Sequence, residues 1–467
     1  MRVAAVVVTL AGAVAHAGLA RAWDVALDAD TVLQVYEVRS PGTAAFMARR
    51  RVLQTLGLTY ADVIGRARAH RRSPRLVAAV RLRLEQEMGE TCLVARELCF
   101  RSTDAGSSAS YQPLAVDTSL DAMLAYVEVS DLPLDTRARA GRQLAADAIG
   151  FARFDGASVR TEPAAWLAVE ALFGALVRAA TPGGTAAFEP TGAPRFSLGE
   201  IPASRAPYVR EPTTTWIASA AAELGRTRIV RARAAYREMR EDDGLLLARG
   251  ALSLVSAPVD ALRVDASAVW DFADPGIVDA HAGARLDLGR VSLDASAERH
   301  VPRFDPGSIW AYFDVAPVND ARVGARWQLS RKLTLGAALR ARTAELPQDQ
   351  SDRDFGVEAS AETRLLGARV DVSAYVWGGA LAPLAAVVVE ASRPVHRHVR
   401  IEARASVWYF DDPLRVGMYG ASFSEALGAR LDLSRRTTLR LELEHAASRV
   451  VGQRVRGLAW LSVDAWQ

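Results

Sequence analysis

Leu262-Arg-Val-Asp-Ala-Ser-Ala-Val-Trp-Asp-Phe272 is the stretch of this chain in which apolar and polar residues alternate most clearly. One register holds Leu262, Val264, Ala266, Ala268, Trp270 and Phe272, and the other holds Arg263, Asp265, Ser267 and Asp271. Successive side chains of a β-strand point to opposite faces of the sheet. The stretch therefore predicts a strand with one apolar side and one polar side.

The same alternation recurs along the chain, in short segments bounded by turn residues. Reading these segments as strands gives about 22, with 18–22 as the range, from 31–39 at the first to 453–466 at the last. A long run of two-faced strands in an exported chain is best explained by a closed barrel whose apolar side faces lipid. We therefore predict an all-β, transmembrane, antiparallel β-barrel.

The predicted joints differ in length at the two ends of the barrel. Joints after even-numbered strands are mostly tight, as at Gly225-Arg226 and Gly289-Arg290. Joints after odd-numbered strands include most of the long ones, namely 89–120, 179–213, 302–320, 344–353 and 411–422. Outer-membrane barrels have short periplasmic turns and long outer loops, so the first strand is predicted to rise from the periplasm. The long basic stretch 61–75 is an exception.

The N-terminus has the features of a secretory signal. Met1-Arg2 is basic, the following run to Val14 is mostly apolar, and a small-x-small cleavage pattern ends at Ala22 or at Ala17. We predict that residues 1–22 are removed, with 17 as the alternative end, and that residues 23–467 form a barrel in the outer membrane. Only residues 23–30 precede the first predicted strand, so we expect no plug domain.

Composition is consistent with this prediction and disfavours other classes of protein. Half of the residues are hydrophobic, yet the mean hydropathy is only +0.05, as alternation produces. The formal net charge is +3 and the chain lacks a basic tail, so we expect no nucleic-acid partner. The expected partners are the lipid bilayer of the outer membrane, the barrel-assembly machinery and small polar solutes. The oligomeric state stays open.

Two cysteines, Cys92 and Cys99, lie in one predicted outer loop. In an oxidising exported compartment such a close pair usually forms a disulfide, which we predict here. A continuous helix across this stretch would instead separate the thiols by two turns. A metal site would need ligands beyond these two thiols, and the sequence places no histidine near them.

Residues with catalytic or metal-binding potential are sparse. The chain has no G-x-S-x-G and no phosphate-binding glycine loop. His396 and His398 share a short turn without a third ligand nearby, and the acidic loop 349–354 lacks the spacing of a calcium loop. We expect no catalytic residues, no metal and no cofactor. A hydrolase site assembled across strands in the barrel wall remains a third alternative.

The polar register of the predicted strands carries both signs of charge at close spacing. The residues expected to line the lumen are Arg81, Arg83, Glu85, Arg231, Arg233, Arg263, Asp265, Arg285, Asp287, Arg340, Glu358, Arg369, Asp371, Arg400, Glu402, Arg404, Arg430, Arg440 and Glu442. Opposite charges on neighbouring strands stabilise strand pairing modestly, so a salt-bridged wall is one interpretation. A charged, water-filled passage is the other. Neither sign dominates, so weak charge selectivity is expected.

Several motifs in the first third of the chain carry a resemblance to known barrels. They are Val35-Tyr-Glu-Val-Arg-Ser-Pro41, Arg49-Arg-Arg-Val-Leu-Gln-Thr-Leu-Gly-Leu58, Arg139-Ala-Gly-Arg-Gln143, Gly150-Phe-Ala-Arg-Phe-Asp-Gly156 and Trp166-Leu-Ala-Val-Glu170. These stretches resemble uncharacterised outer-membrane β-barrel proteins of the myxobacterial type. Their order is similar to that in alginate-export-type and carbohydrate porins. The resemblance implies an exported barrel and favours a porin.

The functional prediction is a passive, porin-like channel for small polar solutes. Its charged lumen would be narrowed by infolding of loops 89–120 and 179–213, because an open barrel of this size would leak. The alternative is a closed structural or surface-interaction barrel that transports nothing.

Overall fold

The computed structural model of the 467-residue chain describes residues 23–39, 46–63, 74–87, 118–177, 214–225, 229–241, 244–301, 317–345, 351–379, 384–411, 419–448 and 452–466. These residues form one 22-stranded antiparallel sheet in which each strand pairs with its neighbours in the chain. The first strand also pairs with the last, which closes the sheet into a barrel. The predicted fold and strand number are confirmed.

The strands are long, and their bounds follow the alternating segments of the sequence. They are Trp23–Arg39 (β1), Phe46–Val63 (β2), Arg75–Glu87 (β3), Thr118–Leu132 (β4), Thr136–Asp147 (β5), Gly150–Ala164 (β6), Leu167–Leu176 (β7), Trp216–Leu224 (β8), Val230–Glu241 (β9), Gly244–Val259 (β10), Leu262–Asp271 (β11), Gly276–Leu288 (β12), Val291–His300 (β13), Val318–Gln328 (β14), Leu333–Glu345 (β15), Ser351–Leu365 (β16), Ala368–Gly379 (β17), Leu384–His396 (β18), Val399–Asp411 (β19), Tyr419–Ser434 (β20), Thr437–Ser448 (β21) and Gly452–Trp466 (β22). A 3-10 turn, Pro133–Asp135, joins β4 to β5.

The first strand departs most from its predicted span. It begins at Trp23 instead of residue 31, because Trp23 pairs with Asp62 near the end of an equally extended β2. Hydrogen bonding to β2 thus extends β1 beyond the segment in which apolar and polar residues alternate most clearly. Within the described residues, no helix is both long enough and apolar enough to cross a membrane.

Joint length separates the two ends of the barrel, as the sequence predicted. The joints after even-numbered strands, which define the turn end, are mostly short, such as 165–166, 260–261, 289–290, 366–367 and 435–436. The joints after odd-numbered strands define the loop end and include 88–117, 177–215 and 301–317. The joint 64–74 is the long exception at the turn end.

The two faces of the wall differ in polarity. Ion pairs join strands that are two apart, as between Arg322 of β14 and Glu358 of β16, whose Nε and Oε2 atoms are 3.0 Å apart. Side chains can converge in this way only on the concave face, so the charged register faces the lumen. The other register carries exposed apolar residues such as Leu252, Leu339 and Leu443, which form the outer surface. This arrangement suits a barrel surrounded by hydrocarbon.

Candidate functional site: the lumen and its inner hairpin

Most of the predicted lumen residues form ion pairs on the concave face. The contacts are Arg81 with Asp28, Arg83 with Asp121, Arg231 with Glu223, Arg233 with Glu170, Asp265 with His281, Arg285 with Asp287, Arg340 with Asp320 and Glu358, Arg369 with Asp371, Arg404 with Glu444, Arg430 with Asp432, and Arg440 with Glu402 and Glu442. Arg263 is directly opposite Arg285, and Arg400 is directly opposite Arg430, which puts both in the same register. The Glu85 side chain lies outside the part of the structure that is described.

Water reaches much of this charged face. The side chains of Arg231, Arg369 and Arg440 are 62%, 56% and 47% exposed, although all three point into the barrel. Packing against protein would have buried them. The half of the lumen near the turn end therefore contains solvent-accessible space.

The loops that were predicted to narrow the lumen lie mostly outside the described residues. Residues 88–117 and 178–213 contain nearly all of both, including Cys92 and Cys99, so the disulfide stays a prediction. Residues 118–120 belong to β4. The described residues place a different element inside the barrel.

That element is the tip of the β5–β6 hairpin, residues 143–153, which we call the inner hairpin. β4 pairs with β5 only as far as Ala125 and Arg142, although β4 continues along β3 to Thr118. β6 pairs with β7 only as far as Phe154 and Leu176. Past these limits, within the described residues, β5 and β6 continue to pair with each other as far as Asp147 and Gly150, and one further backbone hydrogen bond, from the Val177 N–H to the Arg153 carbonyl, links β6 to the wall. The tip of the hairpin beyond this bond has left the wall.

A row of glycines marks the line along which the hairpin bends. Gly141, Gly156 and Gly174 are direct cross-strand partners on β5, β6 and β7. A Cβ atom at any of them would collide with the backbone of the adjacent strand, and Gly141 has φ +117°, a region that favours glycine. Only residues without a side chain allow the strands to approach this closely at the bend.

Two buried residues fix the hairpin just past the bend. Gln143 is 1% exposed; its amide donates to the Gly156 carbonyl at 2.9 Å and accepts from the Ser158 hydroxyl at 2.6 Å. Phe154, also 1% exposed, packs with Ile217 on the inner face of β8. These contacts account for the residue order Gly141-Arg-Gln143 and Phe154-Asp-Gly156 noted in the sequence.

The tip of the inner hairpin reaches across to the inner face of the strands that follow. Ile149 is 7% exposed and packs in an apolar cluster on β8–β12 with Ala221, Ala235, Ala251, Val269 and Val278. Ala221, Ala235, Ala251 and Val269 are successive cross-strand partners, so they share one face. Small side chains in the otherwise polar register create the socket that the tip fills.

A buried arginine latches the tip beside this socket. The Arg237 side chain is 1% exposed; its guanidinium donates to Asp147 Oδ2 at 2.9 Å and to the Gly150 carbonyl at 3.0 Å. Charge-assisted hydrogen bonds in a site without water are stronger than exposed ones. Arg237 therefore holds both strands of the hairpin at their turn.

A second ion pair holds the hairpin from the opposite side. Arg153 contacts Asp121 at 2.7 Å, and Asp121 in turn lies 3.5 Å from Arg83 on the inner face of β3. Farther from the tip on β6, side chains in the same register as Arg153 face outward, for example the exposed Val159. The contact with the inward-facing Asp121 shows that the hairpin has turned into the barrel.

The sequence contained a signal for this socket that the prediction did not use. Ala221, Ala235, Ala251 and Val269 interrupt the charged register with small or apolar residues on four consecutive strands. Arg237 and Asp147 were also missed, because nothing local distinguishes them from other charged residues of the strands.

The wall of β19–β22 carries a different arrangement, a network of paired charges. The Glu444 carboxylate is 5% exposed and contacts Arg404, Arg454 and Arg456. Glu442 contacts Arg456 at 3.1 Å and Arg440 at 3.8 Å. Among the described contacts, Glu444 is the most connected member of this network.

A second network lies on β14–β17 and includes an aromatic ring. The guanidinium carbons of Arg340 and Arg342 lie 4.9 and 4.8 Å from the centre of the Trp377 ring, within the range of cation–π contact. Asp320 contacts both arginines, at 2.7 and 3.3 Å. A recess of about 290 Å³ opens beside them, lined also by Asp354, Glu358 and Tyr375.

The lumen histidine with the most contacts is not arranged like a hydrolase base. His281 is the cross-strand partner of Ser267, but its Nε2 lies 2.7 Å from Asp265 and its Nδ1 3.2 Å from Glu298. Both ring nitrogens therefore face carboxylates, and neither is positioned to accept a proton from serine. In the described part of the chain, no three His, Cys, Asp or Glu side chains are grouped to hold a metal ion.

Known proteins resemble this chain in structure and not in sequence. No protein-family model matches it, and none of the curated proteins does. OccAB4 of Acinetobacter baumannii matches 94% of this chain and 98% of its own, with 8% identity and a TM-score of 0.44. OccK7 (OpdD) of Pseudomonas aeruginosa and a BenF-like porin from Pseudomonas fluorescens Pf-5 each match 95% of this chain and 98% of their own. Both are 9% identical, with TM-scores of 0.43 and 0.40.

Proposed function

We propose that this chain is a passive channel of the outer membrane that admits small polar solutes. The observation that carries the proposal is the closed barrel whose charged inner face is open to water, with the inner hairpin fixed inside it. An apolar outer face fits the lipid bilayer, and the barrel-assembly machinery is the proposed partner for its insertion. The hairpin then limits the size of the solutes that pass.

A closed barrel is the second candidate, and the inner hairpin also favours it. The hairpin occupies space on the β8–β12 side, and loops 89–120 and 179–213 would fill more of the lumen if they fold inward as predicted. The two functions differ in one measurable property, which is conductance.

The test compares purified protein with one hairpin variant in planar lipid bilayers. Wild type should give stepwise conductance. Ile149→Glu puts a charge into the apolar socket, so the tip should leave it and the unit conductance should rise. Leu366→Glu, at an 82% exposed turn position, is the matched control and should leave conductance unchanged.

The outcomes separate the candidates. A folded wild-type barrel that never conducts, together with an Ile149→Glu variant that does, would support the closed barrel. A wild type and a variant of equal unit conductance would contradict the role of the hairpin as the narrowing element.

A further inference from the structure

The recess beside Trp377 has the features of a built binding site in the lumen wall. Trp377 is 8% exposed and lies flat on β16, where a Cβ atom at Gly356 would be only 2.9 Å from the ring. Gly356 thus provides the space for the ring, and the ring in turn supports the guanidinium groups of Arg340 and Arg342. These donors are held in place before any solute arrives, which lowers the entropic cost of binding.

Donor groups at this recess remain available. Within the described residues, Arg342 uses its Nε for Asp320, and no hydrogen bond engages its two terminal nitrogens. A guanidinium has five N–H donors, so Arg342 retains most of its capacity. The Glu358 carboxylate accepts a hydrogen bond from Arg322 at 3.0 Å and lies 3.5 Å from Arg340. Its oxygens are therefore acceptors next to these donors.

The charge balance disfavours an ionic ligand. Two arginines and two carboxylates line the recess, and Arg340 and Arg342 already contact Asp320. An anion would have to compete with Asp320 for the two arginines and would face the Glu358 carboxylate. A cation would face two guanidinium groups.

We propose that this recess binds an uncharged, polyhydroxylated solute of about monosaccharide size. Adjacent hydroxyl groups both donate and accept, so they match a surface on which arginine donors alternate with carboxylate acceptors. Small-molecule pockets commonly measure about 300–1,000 Å³, and this recess lies at the lower limit of that range. The inference rests on the proposed channel, because the solute must enter the lumen.

The experiment uses three solutes of one carbon skeleton: glucose, gluconate and glucosamine. Each is titrated against the ion current of the full-length barrel, and the half-blocking concentration is recorded. Glucose should block at the lowest concentration. Arg342→Gln removes the available donors, and the half-blocking concentration should rise about tenfold.

Arg440→Gln is the matched control. Arg440 lines a separate recess of about 360 Å³ on the β17–β21 wall, where no aromatic residue contributes to the lining. This variant should block like the wild type. Equal weakening by both substitutions would contradict a site at Trp377, and stronger block by gluconate or glucosamine would overturn the uncharged class.

A second measurement does not depend on conduction. Saturation-transfer NMR of the folded barrel in detergent should show glucose binding to wild type and to Arg440→Gln, and much weaker binding to Arg342→Gln. Binding without conductance would refute the channel while supporting the site. The absence of glucose binding in a conducting barrel would refute the site alone.

Discussion

The inner face of β8–β12 and the inner face of β19–β22 are built from the same alternation, but they do different things. On β8–β12 the inward register holds small and apolar residues such as Ala235 and Val269, and it receives Ile149 of the inner hairpin. On β19–β22 the inward register holds charged residues instead. Arg404 of β19 pairs with Glu444 of β21, Glu442 of β21 pairs with Arg456 of β22, and these side chains leave space for water. The chemistry of one register therefore decides whether the wall binds another part of the chain or faces the solute path.

Breaking the most connected member of the β19–β22 network should have the largest effect on stability. Glu444→Gln removes the only ion-pair partner that the described contacts give Arg404 and Arg454, and because these two arginines are about 40% exposed we expect a loss of about 2–4 kcal/mol. Glu442→Gln is the control: Arg456 keeps Glu444 and Arg440 keeps Glu402, so its cost should be much smaller. Urea unfolding in lipid vesicles measures both. Equal losses of stability in the two variants would contradict the central role of Glu444 in the network.

The outer faces of the two regions should respond alike, which sharpens the contrast of their inner faces. Leu441→Arg on β21 and Leu252→Arg on β10 each place a charge on the lipid-facing surface, at 42% and 65% exposed positions. Each should cost about 2–4 kcal/mol near the bilayer midplane. The same vesicle assay applies. A cost close to that of Glu442→Gln would contradict the assignment of faces.

The bend of the inner hairpin should be sensitive to a single methyl group. Gly141→Ala adds a Cβ that meets the Ala125 carbonyl at a positive φ, so we expect a loss of about 1–3 kcal/mol and a change in conductance. Gly289→Ala is matched in having a positive φ of +72°, but a Cβ there has no neighbour within 4 Å. Gly289→Ala should leave conductance unchanged. Unchanged conductance in Gly141→Ala would indicate a normally placed hairpin and would contradict the glycine row as the cause of its bend.

Solvent-exposed pairs near the turn end should contribute least. Arg285 and Asp287 are 3.0 Å apart, and each side chain is 52% exposed. Arg285→Gln should therefore cost about 0–1 kcal/mol while making the lumen slightly more favourable to cations. Reversal potentials in a salt gradient measure the second effect. A loss of stability comparable to that of Glu444→Gln would show that this pair is not exposed as described.

The sequence by itself determined the strands, their two faces and the unequal joints. These properties follow from local alternation with a period of two and from turn residues, so each strand could be recognised without knowing its neighbours. Arg369-Val-Asp371 and Arg430-Leu-Asp432 show this well, because residues two apart on one strand share a face and pair there.

Only the tertiary structure decided which distant residues meet. Where the barrel closes, a register shift between Leu27 and Asp28 of β1 sets Leu27 opposite Trp466 of β22, a pairing that no local pattern in the sequence indicates. Likewise, Ile149 is in a two-residue joint, and the strands that bind it begin beyond residue 215. Closing the barrel brings such positions together across the lumen, and no periodicity along the chain encodes that distance.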